Sequence, residues 1–594
     1  MNALRSPLTL AILVAVFAQL MVTGCQPKRR SRSAESGATA AGSREELEQA
    51  VDLMGQLGEI PLEKAETDLA YLLNRWIRGA AESPGWKRDP LADRLPKIIR
   101  DAYDLSRLER GAFDLQDSRV LLEAQWCRDI SDWAAKQPTP KPMAAWLAGR
   151  QPALSRDEAE QLRIGERIFD WTIRNIQLDP LAPYVAEAAG AAPGGPADAN
   201  LPPYLRGLPG PGYQRETWQT LLAGHGDAWE RGRVFAALAR QQGLETIVLG
   251  ISDVNVSPRP TLWSIALVVA NDLFLFDPLL GLPLPPVAAQ GTLAPGIATL
   301  ADLRTHPEWI ETWDLPGDMQ YGVRPTDLKN LVALIDLPPA WLSRRMDQFE
   351  QQLVGEKRMR VSSHPSRLAD RVRQIPGVNR VELWTVPWEA ELFTASLAQM
   401  AKGDPPPSVR ARLAEDALFL GRSPLSLGRS QHFRGRFAND DDRKGAKGHY
   451  LDTRIPDDVL DRLGNDESAQ RAMGLVRDRF ESDNAWINRL RVTQIISKTA
   501  KAHASYWLGL VHYENGQYEV AADWFRNRTL ELAGDNPWKS GARYNLGRCL
   551  EMQGQSVEAR ALYLDDKSPQ RHGNVLRARL LLDTTPAEGN PPQR

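Results

Sequence analysis

The sequence predicts a multidomain α+β protein: a helix packed on an antiparallel sheet, flanked by mainly helical regions and followed by a C-terminal helical repeat. Three observations predict it. The 594 residues suffice for about four domains of roughly 150 residues each. A helical stripe from about Ala228 to Gln242 is followed by three strand-like runs, and a set of Leu, Gly, Ala and aromatic positions near the C-terminus recurs after 38 residues. With 73 Lys/Arg against 75 Asp/Glu, the formal charge of -2 gives no global electrostatic reason for a nucleic-acid partner. Three cysteines, Cys25, Cys127 and Cys549, are too few for a disulfide framework or a four-cysteine zinc site. No cofactor or metal is expected.

At the N-terminus Arg5 precedes an apolar run from Pro7 to Val22, which stops at Val22, Thr23, Gly24 and Cys25. This is the layout of an export signal. It resembles a bacterial lipoprotein signal with its lipobox, and the resemblance implies cleavage after residue 24 and lipid on Cys25. The chain is then expected to be membrane-anchored through that lipid in the bacterial cell envelope, facing the periplasm. Gln26 after the cysteine slightly favours the outer membrane over the inner. Residues 25–46, rich in Arg, Ser, Ala and Gly, read as a flexible tether. Its Lys28, Arg29, Arg30 and Arg32 serve either as contacts to anionic headgroups or as part of a solvated linker.

Residues 47–150 read as a helical region, because stretches such as Thr67 to Trp76 and Val120 to Trp126 repeat apolar residues every three to four positions. Cys127 lies on one such helix and is expected to be buried and unreactive. Pro138 to Pro152 forms a joint. A helix then starts after Ser155, whose hydroxyl caps it while Asp157 and Glu158 favour its first turn. Leu181 to Gly212 is an irregular excursion rich in Ala, Gly and Pro. The central helix follows, with Val234, Phe235 and Leu238 as its apolar stripe and Gly243 at its end. Strand signals come next at 244–249, 262–269 and 273–276, with Asn271 and Asp272 turning the chain between the last two.

This order, together with the helix Phe169 to Ile176, Gly226 to Arg231 opening the central helix, Ala239 to Gly243 closing it, and Phe276, Asp277 and Pro278 after a strand, resembles the transglutaminase-like fold, a relative of papain-like cysteine proteases. The assigned domain is 151–290. The resemblance implies a nucleophilic cysteine at the start of the central helix, a histidine on the next strand and an aspartate on the one after. Here Ala228 stands at the cysteine position, the strand around Trp263 holds no histidine, and Asp277 matches the aspartate. The resemblance therefore implies a degenerate site with no catalytic residue. Asp277 either caps a turn ahead of Pro278 or orients a base. His225 and Asp227 are either a solvent-facing loop pair or a nonstandard site, and Trp229, Trp263 and Phe274 are either cleft-lining or core aromatics.

Residues 291–480 read as a mixed, mostly helical region. Leu328 to Ile335 and Trp341 to Leu353 are amphipathic helix candidates, Val381 to Val386 is a strand, and Leu420 to Tyr450 is a loop. In 481–594, Leu508, Gly509, Gly516, Tyr518, Ala521 and Phe525 recur as Leu546, Gly547, Gly554, Ser556, Ala559 and Tyr563. This resembles the tetratricopeptide repeat, with a longer turn around Gly534 to Pro537 and, because two units are thin for a solenoid, either a divergent third unit near Asp483 to Lys498 or a neighbouring domain that caps the stack. His503 and His512 are expected to pack rather than bind metal.

The expected function is a non-catalytic, membrane-anchored scaffold that binds a protein or peptide through the repeats or the degenerate cleft. Two alternatives stay open: an acyl-transfer or hydrolytic enzyme with a nonstandard site or a thiol from Cys127 or Cys549, and a purely structural lipoprotein.

Overall fold

The computed structural model describes residues 40–56, 60–79, 85–181, 210–252, 259–288, 291–317, 319–403, 405, 407–532 and 534–583. The export signal, Cys25, most of the tether and most of the Leu181 to Gly212 excursion lie outside the described residues. The chain divides into two compact units, neither contiguous in sequence: Met1–Ala81 with Ala395–Ala542, and Glu82–Thr394 with Arg543–Arg594.

The second unit is built around a helix-on-sheet core. Helix α1 (Leu115–Ala134) starts from a reciprocal capping box between Asp114 and Asp117. Helix α2 (Arg156–Asn175) starts from the same device between Ser155 and Glu158, each side chain satisfying an amide that the first helical turn leaves open. Helix α3 (Ala228–Gln241) is the central one, capped by Asp227. Six strands form the sheet: β1 (Thr246–Ile251), β2 (Thr261–Val269), β3 (Asp272–Asp277), β4 (Leu282–Pro283), β5 (Leu331–Ile335) and β6 (Arg380–Leu383). Their order is β4-β3-β2-β1-β5-β6, antiparallel throughout except for the parallel β5–β6 pair. The β2–β3 hairpin closes through Ala270 and Asn271, both at positive φ as a tight primed turn demands. Phe169 of α2, Phe235 of α3 and Phe276 of β3 meet with ring centroids 5.0–5.3 Å apart, fastening both helices to the sheet.

Two elements differ from the sequence expectation. Leu328 to Ile335 is no helix: its last five residues form β5, buried on both faces between β1 and β6. A short, continuously apolar run has no period to separate a buried strand from a helix, and the pairing partners that decide it are far away in sequence. Leu420 to Tyr450 is no loop either, since it holds helices at Pro424–Phe433 and Ala446–Thr453. Ser423 caps the first and Pro424 occupies its first turn, where a missing N–H costs nothing. Gly428 lies inside the first of these helices, where its missing side chain lets the backbone approach the Tyr450 ring.

The first unit is helical. It holds the antiparallel pair Ala40–Gly55 and Leu62–Gly79, the two helices just named, and the long helix α4 (Asp483–Glu514) with α5 (Tyr518–Phe525). Because α4 runs unbroken for 32 residues, Asp483 to Lys498 is its N-terminal half rather than a third repeat unit. An aromatic cluster fills the core: Tyr506 stacks on Trp538 at 4.5 Å, and the buried Arg429 guanidinium lies over Trp507 at 4.4 Å.

Helix α6 (Lys539–Met552) passes from the first unit into the second, where α7 (Ser556–Leu564) and α8 (Arg571–Asp583) follow. There the C-terminal helices bind to the core. Asn545 donates to the Arg174 carbonyl at 3.0 Å, and Arg548 pairs with Asp170 of α2 at 2.5 Å. Arg577 of α8 clasps Glu551 of α6 through two contacts of 2.6 Å. Burial pushes the Glu551 carboxyl up, but the Arg577 and Arg548 guanidiniums outweigh it and hold the group below its ordinary range.

Candidate functional site

Two places deserve the name of candidate site: the region of Ala228, Trp263 and Asp277, and the repeat helices. Ala228 is the first residue of α3 and is fully buried, so a methyl group stands where the resemblance implies a thiol. One turn further on, Arg231 donates to the Pro278 carbonyl at 3.3 Å, which puts this face of α3 beside the end of β3. Arg231 also donates to the Ile173 carbonyl and to Oε1 of Gln570, both at 2.8 Å, joining α2, α3, the turn after β3 and the C-terminal helices.

Asp277 is fully engaged at the end of β3. Its Oδ1 accepts from the Leu279 and Leu280 amides at 2.8 and 2.9 Å, and its Oδ2 accepts from the Tyr321 hydroxyl at 2.7 Å. The Tyr321 oxygen in turn accepts from Nε1 of Trp263 at 2.8 Å. A buried relay therefore runs from the Trp263 indole through Tyr321 to Asp277, and a phenol holds one oxygen of the carboxylate. Burial raises the Asp277 pKa, opposed by the two amides, Tyr321 and His572. Tyr321 was missed by sequence reasoning. It lies 44 residues from Asp277 in a stretch rich in Pro and Gly, and no local pattern points to it.

His225 and Asp227 stay apart in role. The His225 Nδ1 meets Oδ2 of Asp179 at 2.6 Å. Asp227 is completely buried and spends its carboxylate on main-chain amides: Oδ1 on Trp229 and Glu230, each at 2.9 Å, and Oδ2 on Gly212 at 2.7 Å. Glu230 reciprocates, accepting from the Asp227 amide at 3.0 Å and from the Arg215 amide at 2.7 Å. Burial, with Glu230 close by, pushes the Asp227 carboxyl up to about 8 despite those amides. The arrangement closes a helix start and leaves no oxygen directed at a substrate. Trp229, Trp263 and Phe274 are 5%, 3% and 1% exposed, so all three pack inside the unit.

The two described cysteines are also enclosed. Burial drives the Cys127 thiol well above its ordinary pKa and raises Cys549 to about 12, so both are held as thiols, the form that is neither nucleophile nor metal ligand. Among the described residues, no group of three or more His, Cys, Asp or Glu side chains is placed to hold a metal ion, and no helix is long and apolar enough to cross a membrane. His503 packs among Phe419, Trp507 and Trp538, and His512 meets Oε1 of Gln517 at 2.6 Å.

In the repeats, the recurring residues make the same contact twice. A Cβ on Gly509 of α4 would lie 2.5 Å from the Phe525 ring of α5, and one on Gly547 of α6 would lie 2.6 Å from the Tyr563 ring of α7. Each helix pair thus closes by setting a ring against a bare backbone. A family model described as tetratricopeptide repeat (TPR_16) matches residues 494–537, the second half of α4 through the turn after α5. No curated protein and no solved structure matches the chain. The chain is thus a multidomain α+β protein whose C-terminal helical region is TPR-like.

Proposed function

We propose that this is a non-catalytic bacterial envelope lipoprotein, anchored through Cys25, with a degenerate transglutaminase-like core and with TPR-like helices that bind a protein or peptide partner. The observation that carries the binding role is the TPR-like helix pairing, with apolar side chains left outward on the second helix of each pair: Val520 on α5, Val557 and Leu564 on α7. Such side chains on a rigid helical scaffold suit recognition of a partner's apolar groups. The non-catalytic reading is supported by the methyl of Ala228, by the commitment of Asp277 to Tyr321 and two amides, and by the two buried, protonated thiols. The lipid anchor rests on the sequence pattern that ends at Cys25.

The test is photo-crosslinking in intact cells with the full chain, placing the reactive side chain at Val520, at Val557, or at the equally outward Val354 away from the repeats. A discrete adduct from a repeat position and not from Val354 supports the binding role. Identical adducts from all three positions, or none from the repeats, refute it.

A further inference from the structure

Phe480 is 91% exposed and Val476 is 76% exposed, two of the three most exposed large apolar side chains among the described residues. They stand four residues apart on one short loop before α4. Scattered exposed hydrophobics are ordinary on protein surfaces, but this loop is held in place by a dense set of polar contacts. Arg489 of α4 clasps Glu481 at 3.0 and 2.7 Å and donates to the Val476 carbonyl at 2.8 Å. Arg477 donates to the Glu481 carbonyl at 2.8 Å and pairs with Asp483 at 2.5 Å. Asp478 accepts from the Phe480 amide at 2.9 Å. The apolar tip is thus preorganised outward, and ordering it on binding costs little.

Charge identifies the occupant. Between Arg477 and Arg491 the chain, otherwise slightly acidic, carries four arginines against three acids, while Arg471 just before them pairs with Glu467. All three acids are spent inside the loop, Asp478 on an amide and Glu481 and Asp483 on Arg489 and Arg477. Arg479, next to Phe480, and Arg491 make no ion pair among the described residues. A projecting phenyl and isopropyl group beside the unpaired Arg479 guanidinium matches the boundary between acyl chains and anionic headgroups, where apolar burial and Coulomb attraction act together.

We infer that the Val476–Phe480 loop is a membrane-contact element that inserts into the interface of an anionic lipid bilayer. The inference goes beyond the scaffold role and does not rest on acylation of Cys25. The test uses the full chain carrying Cys25→Ser, so that only an introduced cysteine is accessible and the buried Cys127 and Cys549 stay unlabelled. An environment-sensitive fluorophore is attached through Phe480→Cys, Val476→Cys or, as an equally exposed apolar control, Val354→Cys. Each form is mixed with vesicles of phosphatidylcholine, with or without phosphatidylglycerol, containing brominated acyl chains. The expected result is bromine quenching at 476 and 480 exceeding that at 354 by about fivefold, stronger with phosphatidylglycerol and cut severalfold by Arg479→Glu. Quenching no greater than at 354 overturns the inference. So does a label at 480 that ignores lipid but shows concentration-dependent energy transfer between chains, which would assign the tip to a second copy. Failure of the Cys25 anchor is read separately, from the membrane fractionation of wild-type and Cys25→Ser cells.

Discussion

Replacing Gly573 with alanine tests whether the C-terminal helices are part of the core or an appendage. Gly573 lies in the first turn of α8, and a Cβ there would stand 1.6 Å from the Leu280 carbonyl oxygen and 2.4 Å from its carbon, both backbone atoms that no rotamer change can move aside. Helix propensity alone favours the substitution by up to about 1 kcal/mol. The structure predicts the opposite sign. To relieve the overlap α8 must withdraw, stretching the Arg231 to Gln570 bond of 2.8 Å, the His572 Nε2 to Trp313 carbonyl bond of 2.7 Å and the Arg579 to Thr312 carbonyl bond of 2.9 Å. Losses of roughly 1 kcal/mol for the neutral bond and about 1.5–3 kcal/mol where the buried Arg231 guanidinium is left with fewer partners, less the propensity gain, give a net cost of about 1.5–3 kcal/mol. In a unit of this size each kcal/mol moves the melting temperature by about 1–2 °C. Calorimetry of the full chain should therefore show the transition of the second unit falling by about 2–6 °C, and hydrogen exchange should speed up at Leu280, whose amide donates to Asp277. An unchanged or raised transition would show that α8 is not seated on the core and would refute the reasoning.

Three further outcomes follow from the same geometry. Gly509→Ala and Gly547→Ala, which drive a methyl to within 2.5 and 2.6 Å of the Phe525 and Tyr563 rings, should each destabilise by about 1–3 kcal/mol in denaturant melts; a gain would mean the helix pairs are not in this contact. Burial raises Asp227, Glu391 and Glu123 to about 8, 8 and 7, so between pH 4 and 8 the folded second unit holds protons that the unfolded chain has released. Its stability should be greatest toward the acidic end of that window and fall as pH rises through 7–8, by an amount on the order of a few kcal/mol. Asp227→Asn, which keeps a capping oxygen, should flatten part of that slope; a stability that climbs from pH 5 to 8 would contradict the assignment. Finally, Cys25→Ser should release the chain from the membrane fraction or block its processing, and retention with normal lipid incorporation would exclude the anchor.

What the sequence revealed of this molecule follows how local each determinant is. Ser155 and Glu158 announce the start of α2 because a capping box is written in four consecutive residues, and the β2–β3 hairpin is legible as two apolar runs split by a polar break, although the turn falls at Ala270 and Asn271, one residue before the expected Asn271 and Asp272. Strand β5 was invisible because five apolar residues carry no period and its neighbours β1 and β6 lie on opposite sides of it in sequence. The candidate site shows the same division. The neighbourhood of Ala228 at a helix start and of Asp277 at a strand end can be read from position, while the Tyr321 hydroxyl that meets Asp277 cannot, since hydrogen bonding across 44 residues leaves no mark in composition.

The repeat adds a subtler lesson, because its pattern was read correctly and still underdetermined its role. The glycine-and-ring contact recurs after 38 residues, yet the surroundings of the two copies diverge. Phe525 is a hydrocarbon ring and ends its interactions in apolar packing, with Tyr506 among its neighbours. Tyr563 carries a hydroxyl, which donates to Glu551 at 2.6 Å, and Glu551 is clasped by Arg577 of α8 while Arg548, one turn back on α6, reaches Asp170 of α2. One oxygen atom thus extends a helix–helix contact into a polar network that holds the second helix pair to the core. The second copy of the motif therefore carries an intramolecular anchor that the first lacks, and the residue that distinguishes them, phenylalanine against tyrosine at equivalent positions, acquires its meaning only from what its hydroxyl meets.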